Sequence, residues 1–121
     1  MRDIKFRQKL KPHFVRGSGE FHYWGYIDGD FTSPVGKNYC DTPDEQFTGL
    51  KDINGVEIYE GDIVREVRLL SEGKRTTNLP VEYQAPSFVA GELQLSNYMG
   101  ITRKVIGNIH QNPELLEQYN G

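Results

Sequence analysis

Glu60 and Asp62 stand on either side of Gly61, and two carboxylates that close can split their pKa values into an acid and a base, as glycoside hydrolysis requires. The same Gly-Asp pair entering an apolar run is also ordinary turn chemistry, the aspartate accepting nearby backbone amides, and this reading needs fewer assumptions. The remaining candidates are His13, His22, His110 and the single cysteine, Cys40. None of them stands at a short ligand spacing from another, so we expect no metal and no cofactor. Cys40 lies among Gly, Asn and Asp with no adjacent base, which suits a packing cysteine better than a nucleophile. The sequence has no phosphate loop, nucleophile elbow or dinucleotide fingerprint. We therefore expect a non-enzymatic protein without catalytic residues, and a small hydrolase using Glu60 or Asp62 is the least favoured alternative.

Binding is the chemistry the residues suit better. Lys5, Arg7, Lys9 and Lys11 precede the densest aromatic run, Phe21 to Ile27, which contains Tyr23, Trp24 and Tyr26. Cations release counterions from phosphates and rings stack on bases, so these residues are candidates for single-stranded nucleic acid. Residues 1–16 carry a formal +5 and residues 41–62 a formal -6, within a chain of net charge -3 and pI near 5.6. A nucleic-acid binder is expected to be basic throughout, which this chain is not. The competing reading is that the basic arm meets the acidic segment of a neighbouring copy or another protein, making a homo-oligomer.

The elements that must position these residues are short. A chain of 121 residues fits one domain spanning 1–121, and seven Tyr, six Phe and one Trp can furnish its core. Thirteen Gly and six Pro, scattered along it, favour a mainly β protein. Ile4 and Phe6 alternate with Lys5 and Arg7 as a strand. Phe21 to Ile27 forms a second, and Asp28-Gly29 turns it back through Phe31-Thr32. Phe14 to Gly19 and Ser33 to Glu45 read as loops. Asn54-Gly55 and Glu60-Gly61-Asp62 are reversals, Ile63 to Leu70 is a strand, and Ser71 to Lys74 is a turn. Pro80 to Tyr83 and Phe88 to Leu95 are further strands, interrupted by Gln84-Ala85-Pro86 and by Gly91. A turn at Asn97 to Gly100 leads to a last strand from Lys104 to Ile109 with a bulge at Gly107. Asn112 as N-cap and Pro113 at the first position begin one short helix or 3₁₀ turn, with Leu115, Leu116 and Tyr119 as its apolar edge. No run approaches the roughly 20 apolar residues of a membrane helix, and the lone cysteine suits a reducing cytosol.

Several of these segments occur together in a known family. Phe47 to Asp52 with Gly49, Leu50 and Asp52, then Asn54-Gly55, then Ile58 to Val64 with Tyr59, Gly61 and Asp62, resemble the YopX family of small phage and prophage proteins. Val105 to Ile109 with Gly107 and Asn108, Asn112 to Leu116, and the opening Arg2 to Arg7 extend the resemblance to both ends of the chain. It implies an SH3-like small barrel core with an N-terminal strand and hairpin extension and a short C-terminal helix. It also implies a phage or prophage origin, a bacterial cytoplasm and a phage or host protein as possible partner. It carries over no activity.

Overall fold

Alternation along Ile4–Lys9 (β1) puts its apolar and cationic side chains on opposite faces of the sheet formed with Phe21–Ile27 (β2). In this antiparallel register Ile4 lies opposite Tyr26, Phe6 opposite Trp24 and Gln8 opposite His22; Lys5, Arg7 and Lys9, on the other face, lie opposite Gly25, Tyr23 and Phe21. The chain reverses at Asp28 and Gly29, whose φ values of 53° and 88° are the left-handed pair of a tight hairpin turn, and returns as Asp30–Thr32 (β3). Glu45–Lys51 (β4) pairs with the other side of β1, Arg7 opposite Glu45. The computed structural model describes residues 4–11, 21–41, 43–84, 87–91, 93–94 and 100–117. The expected loop at Phe14 to Gly19, the interruption at Ala85-Pro86, most of the turn at Asn97 to Gly100, His13 and Tyr119 lie outside them.

The remaining strands are Glu57–Tyr59 (β5), Asp62–Leu70 (β6), Gly73–Gln84 (β7), Ser87–Ala90 (β8), Leu93–Gln94 (β9) and Ile101–Asn108 (β10). The strand orders are β3-β2-β1-β4-β5 and β10-β6-β7-β8-β9. The protein is mainly β, in two antiparallel sheets. Neither sheet closes on itself among the described residues, so the mainly β class holds and the barrel implied by the family resemblance is not shown. Two compact units are described, residues 1–49 and 50–121, the boundary falling inside β4.

In the first unit β1 is held on both sides. Gln8, buried, exchanges two hydrogen bonds with the Val35 backbone, its Nε2 donating at 3.0 Å and its Oε1 accepting at 2.9 Å. The segment expected to be plain loop thus contributes a clasp, a 3₁₀ turn at Lys37–Tyr39 and a bridge from Cys40 to Leu10. Gly25, at φ 112°, lies so close to β1 that a Cβ there would sit 2.2 Å from the Ile4 carbonyl oxygen. We expect Gly25→Ala to destabilise the unit by on the order of 3 kcal/mol, from backbone strain and overpacking together. A lowered melting temperature and a weakened near-UV signal from Trp24 would report it.

In the second unit Ile58, Val64, Leu79, Val81 and Ala90 form the core, with Leu50, Phe88 and Val105 packed against it. β7 is far longer than expected. The chain turns only at Ser71 and Glu72, and residues 73–79, mostly polar, are already strand because the ladder to β6 holds them. The strand expected from Phe88 to Leu95 is divided into β8 and β9 by a turn at Gly91. The bulge near Gly107 lies where expected, between Val105 and Gly107. A Cβ on Gly107 would meet Asn112 Oδ1 at 2.4 Å. Asn112 does not cap the 3₁₀ turn Pro113–Leu116; its Oδ1 accepts the Asn108 amide instead, at 3.3 Å.

Candidate interaction surface

The first sheet separates the two chemistries that the sequence placed side by side. On the cationic face Arg7, only 5% exposed, donates from Nε to Glu45 Oε1 at 2.8 Å and lies over the Phe21 ring at 4.3 Å. Lys5, also buried, lies over the Phe47 ring at 4.9 Å. Lys9 pairs with Asp41 at 3.5 Å, and Lys11 is half-buried, its amide donating to the Tyr39 carbonyl. Part of the basic arm's charge is therefore met within the chain by Asp41 and Glu45, both from the acidic half of the sequence. Tyr23 is exposed on this face beside Arg7.

The opposite face carries apolar surface. Phe6 and Trp24 stack at 4.5 Å with planes 19° apart, both half-buried. Next to them Ile4, Tyr26 and Phe31 form one row across β1, β2 and β3, and they are 53%, 51% and 58% exposed. The Tyr26 and Phe31 rings are 5.3 Å apart. Phe31 lies at the centre of β3, the terminal strand of its sheet among the described residues. The aromatic run thus divides: Trp24 packs, and Tyr26 joins a row that only strand pairing assembles from residues 4, 26 and 31.

The central motif is backbone engineering. Asp52 is buried and its carboxylate accepts three amides, those of Asn54 at 2.8 Å and Val56 at 2.9 Å on Oδ1 and that of Val105 at 2.8 Å on Oδ2. Burial alone pushes this carboxyl up, but the three amides together with Lys104 outweigh it and hold it below the ordinary aspartate value. Asp62 Oδ2 accepts the Tyr59 amide at 2.8 Å across the turn containing Gly61. Gly49, Gly55 and Gly61 hold φ values of 86°, 82° and 87°. Leu50 packs on the core, and Tyr59 is buried beside Ile58. Asn108 Oδ1 accepts the amides of His110 and Gln111, ordering the chain after β10.

The remaining candidates are also tied into local structure. His22 Nε2 lies 2.8 Å from the Ser33 carbonyl oxygen. Cys40 Sγ donates to the Gly36 carbonyl at 3.6 Å, and burial, Asp44 and Asp41 raise its thiol pKa against a smaller opposing effect of Lys11. A raised pKa disfavours the nucleophilic thiolate. Among the described residues no group of three or more His, Cys, Asp or Glu is placed to hold a metal ion, and no helix is long and apolar enough to cross a membrane.

Sequence reasoning passed over one buried cluster. Glu66, 2% exposed, accepts from Arg68 Nε at 2.6 Å and from Arg103 Nε at 3.1 Å. Its only signal was a carboxylate flanked by cations on a strand, which reads equally well as a solvated face.

The geometry defines a class first: an all-β protein whose signature residues shape turns around a small core. The sequence profile of the YopX protein family matches residues 26–117, and the chain belongs to that family. A crystal structure of protein EF1440 from Enterococcus faecalis is similar to it, with 30% sequence identity and a TM-score of 0.55 over 94% of this chain and 98% of that one. No curated protein matches the sequence.

Proposed function

We propose that the protein works by association, without chemistry of its own, and that its first partner is a second copy of the chain docking through the β3 edge. The observation that carries this reading is the Ile4, Tyr26 and Phe31 row, ending on an edge strand with Phe31 at its centre. Exposed edges beside apolar surface are templates for pairing. Two copies of β3 related by a two-fold axis pair antiparallel, Phe31 opposite Phe31, and join the two apolar rows on one face. In that register each Asp30 meets a Thr32 of the other copy, giving carboxylate a hydroxyl donor twice over. The second unit is read by itself as an SH3-like small barrel core, and the phage or prophage setting, the bacterial cytoplasm and a phage or host protein as later partner belong to the same proposal.

Single-strand nucleic-acid binding through Lys5, Arg7, Lys9, Lys11, Tyr23 and Trp24 is less well supported. Arg7 and Lys5 are buried against an acid and rings, and Trp24 stacks on the face opposite the cations. A short edge buries less than about 1,200 Å², so the dimer belongs among weak, transient interfaces. Sedimentation velocity should show a concentration-dependent monomer–dimer equilibrium that survives high salt, because apolar contact is not screened. Phe31→Asp should leave a monomer with an unchanged melting temperature. A wild-type monomer at every concentration, or Trp24 fluorescence responding to a single-stranded oligonucleotide at low salt, would overturn the reading.

A further inference from the structure

A groove of about 670 Å³ in the second unit is lined by Arg65 and by four successive residues of β7, Arg75, Thr76, Thr77 and Asn78, with Glu114, Leu115 and Glu117 as its other wall. Successive residues of a strand point to opposite faces, so a groove touching all four runs along the strand's edge and not over one face of the sheet. The pairing agrees. β6 covers one side of β7 from Gly73 to Pro80, whereas β8 reaches only residues Val81 to Gln84 on the other. Among the described residues no strand pairs with the second edge of β7 before Val81, and that stretch presents alternate backbone amides and carbonyls to the groove.

The walls are fixed relative to this edge. Asn78 Nδ2 donates to the Leu115 carbonyl at 3.1 Å, tying the 3₁₀ turn to the strand, and Asn78 Oδ1 accepts from Arg65 Nε at 3.3 Å. The groove therefore carries two guanidinium groups and two carboxylates, Arg65 on the face of the sheet that Asn78 shares and Arg75 on the other, with Leu115 between the acids in sequence. We propose that this groove binds an extended peptide segment of a partner protein, which adds to β7 along Arg75 to Asn78 as a further strand. Main-chain hydrogen bonds to the edge supply affinity in this mode, and alternate side chains supply selection. The charges select a segment carrying both an acidic residue, for Arg65 and Arg75, and a basic one, for Glu114 and Glu117. A purely anionic ligand would meet the two glutamates, which disfavours a bare phosphate.

The test is selection of a displayed random heptapeptide library on the full chain, followed by hydrogen exchange with the enriched peptides in synthetic form. The expected result is mixed-charge, β-prone peptides that slow exchange at the amides of Thr76 and Asn78 at least tenfold. Thr76→Pro should abolish their binding, because the Thr76 amide, like that of Asn78, faces away from β6. Because proline can also disturb the β6 ladder, a second selection on Arg65→Glu/Arg75→Glu should return peptides whose acidic residues are replaced by basic ones. Failure to enrich any peptide, protection elsewhere in the chain, equal binding to Thr76→Pro in its folded form, or protection of Thr76 and Asn78 by inorganic phosphate in place of peptide would each overturn the proposal.

Discussion

Asp52→Ala is expected to lower the stability of the protein by about 3–5 kcal/mol, the cost of leaving three amide donors unmet at a buried site. Two of those donors, Asn54 and Val56, close the turn that follows β4; the third, Val105, belongs to β10 on the far side of the sequence. The Ile53 amide donating to the Arg103 carbonyl at 3.1 Å continues the same seam. Asp52→Asn keeps one carbonyl acceptor but exchanges the other oxygen for a donor, so it should cost less than alanine while still weakening the contact with β10. Urea unfolding measures both. The carboxylate also predicts a pH dependence. Its folded pKa lies below the unfolded value of about 3.9, so its contribution is fully present above that value and is lost as the pH falls through the folded pKa. Asp52→Asn should therefore show a shallower loss of stability below about pH 4 than the wild type.

Glu66→Ala should be as severe, about 3–5 kcal/mol, for a different reason. The variant leaves Arg103, itself buried, and Arg68 facing each other with no carboxylate between them. Replacing Glu66 and Arg103 together by Met should recover most of that loss, since a buried ion pair exchanged for apolar side chains of similar volume is commonly neutral or stabilising. The comparison of the single and double variants by urea unfolding separates the worth of the pair from the damage of removing its carboxylate alone. If Glu66→Ala proved nearly neutral, the cluster would be wetter than its burial indicates.

Turn chemistry made much of this fold legible from sequence. Asp28-Gly29, Asn54-Gly55 and Gly61 each require left-handed backbone, and each reverses the chain where the residues say it should. The aromatic run from Phe21 to Ile27 and the bulge at Gly107 were legible for similarly local reasons. The first half of β7 was not, because Lys74, Arg75, Thr76, Thr77 and Asn78 offer no apolar alternation and owe their conformation to pairing with β6. Charged residues misled most. Lys5, Arg7 and Glu66 read as solvent-facing on a period of two, yet each is buried against a partner from a distant segment. The apolar row was equally hidden, since Ile4, Tyr26 and Phe31 become neighbours only through register.

That register is where the account is most exposed to test. In a Cys40→Ser background, Phe31→Cys should oxidise to a disulfide-linked dimer, because directly opposed residues of antiparallel strands have Cα atoms about 4.5–5.5 Å apart, within disulfide reach. Asp30→Cys and Thr32→Cys should each stay uncross-linked alone and cross-link when mixed, since the proposed pairing sets each against the other. Efficient cross-linking of Phe31→Cys and of the mixture, with neither Asp30→Cys nor Thr32→Cys reacting by itself, is the predicted result. No cross-linking at Phe31, or equal cross-linking at all three positions, would contradict association through the β3 edge.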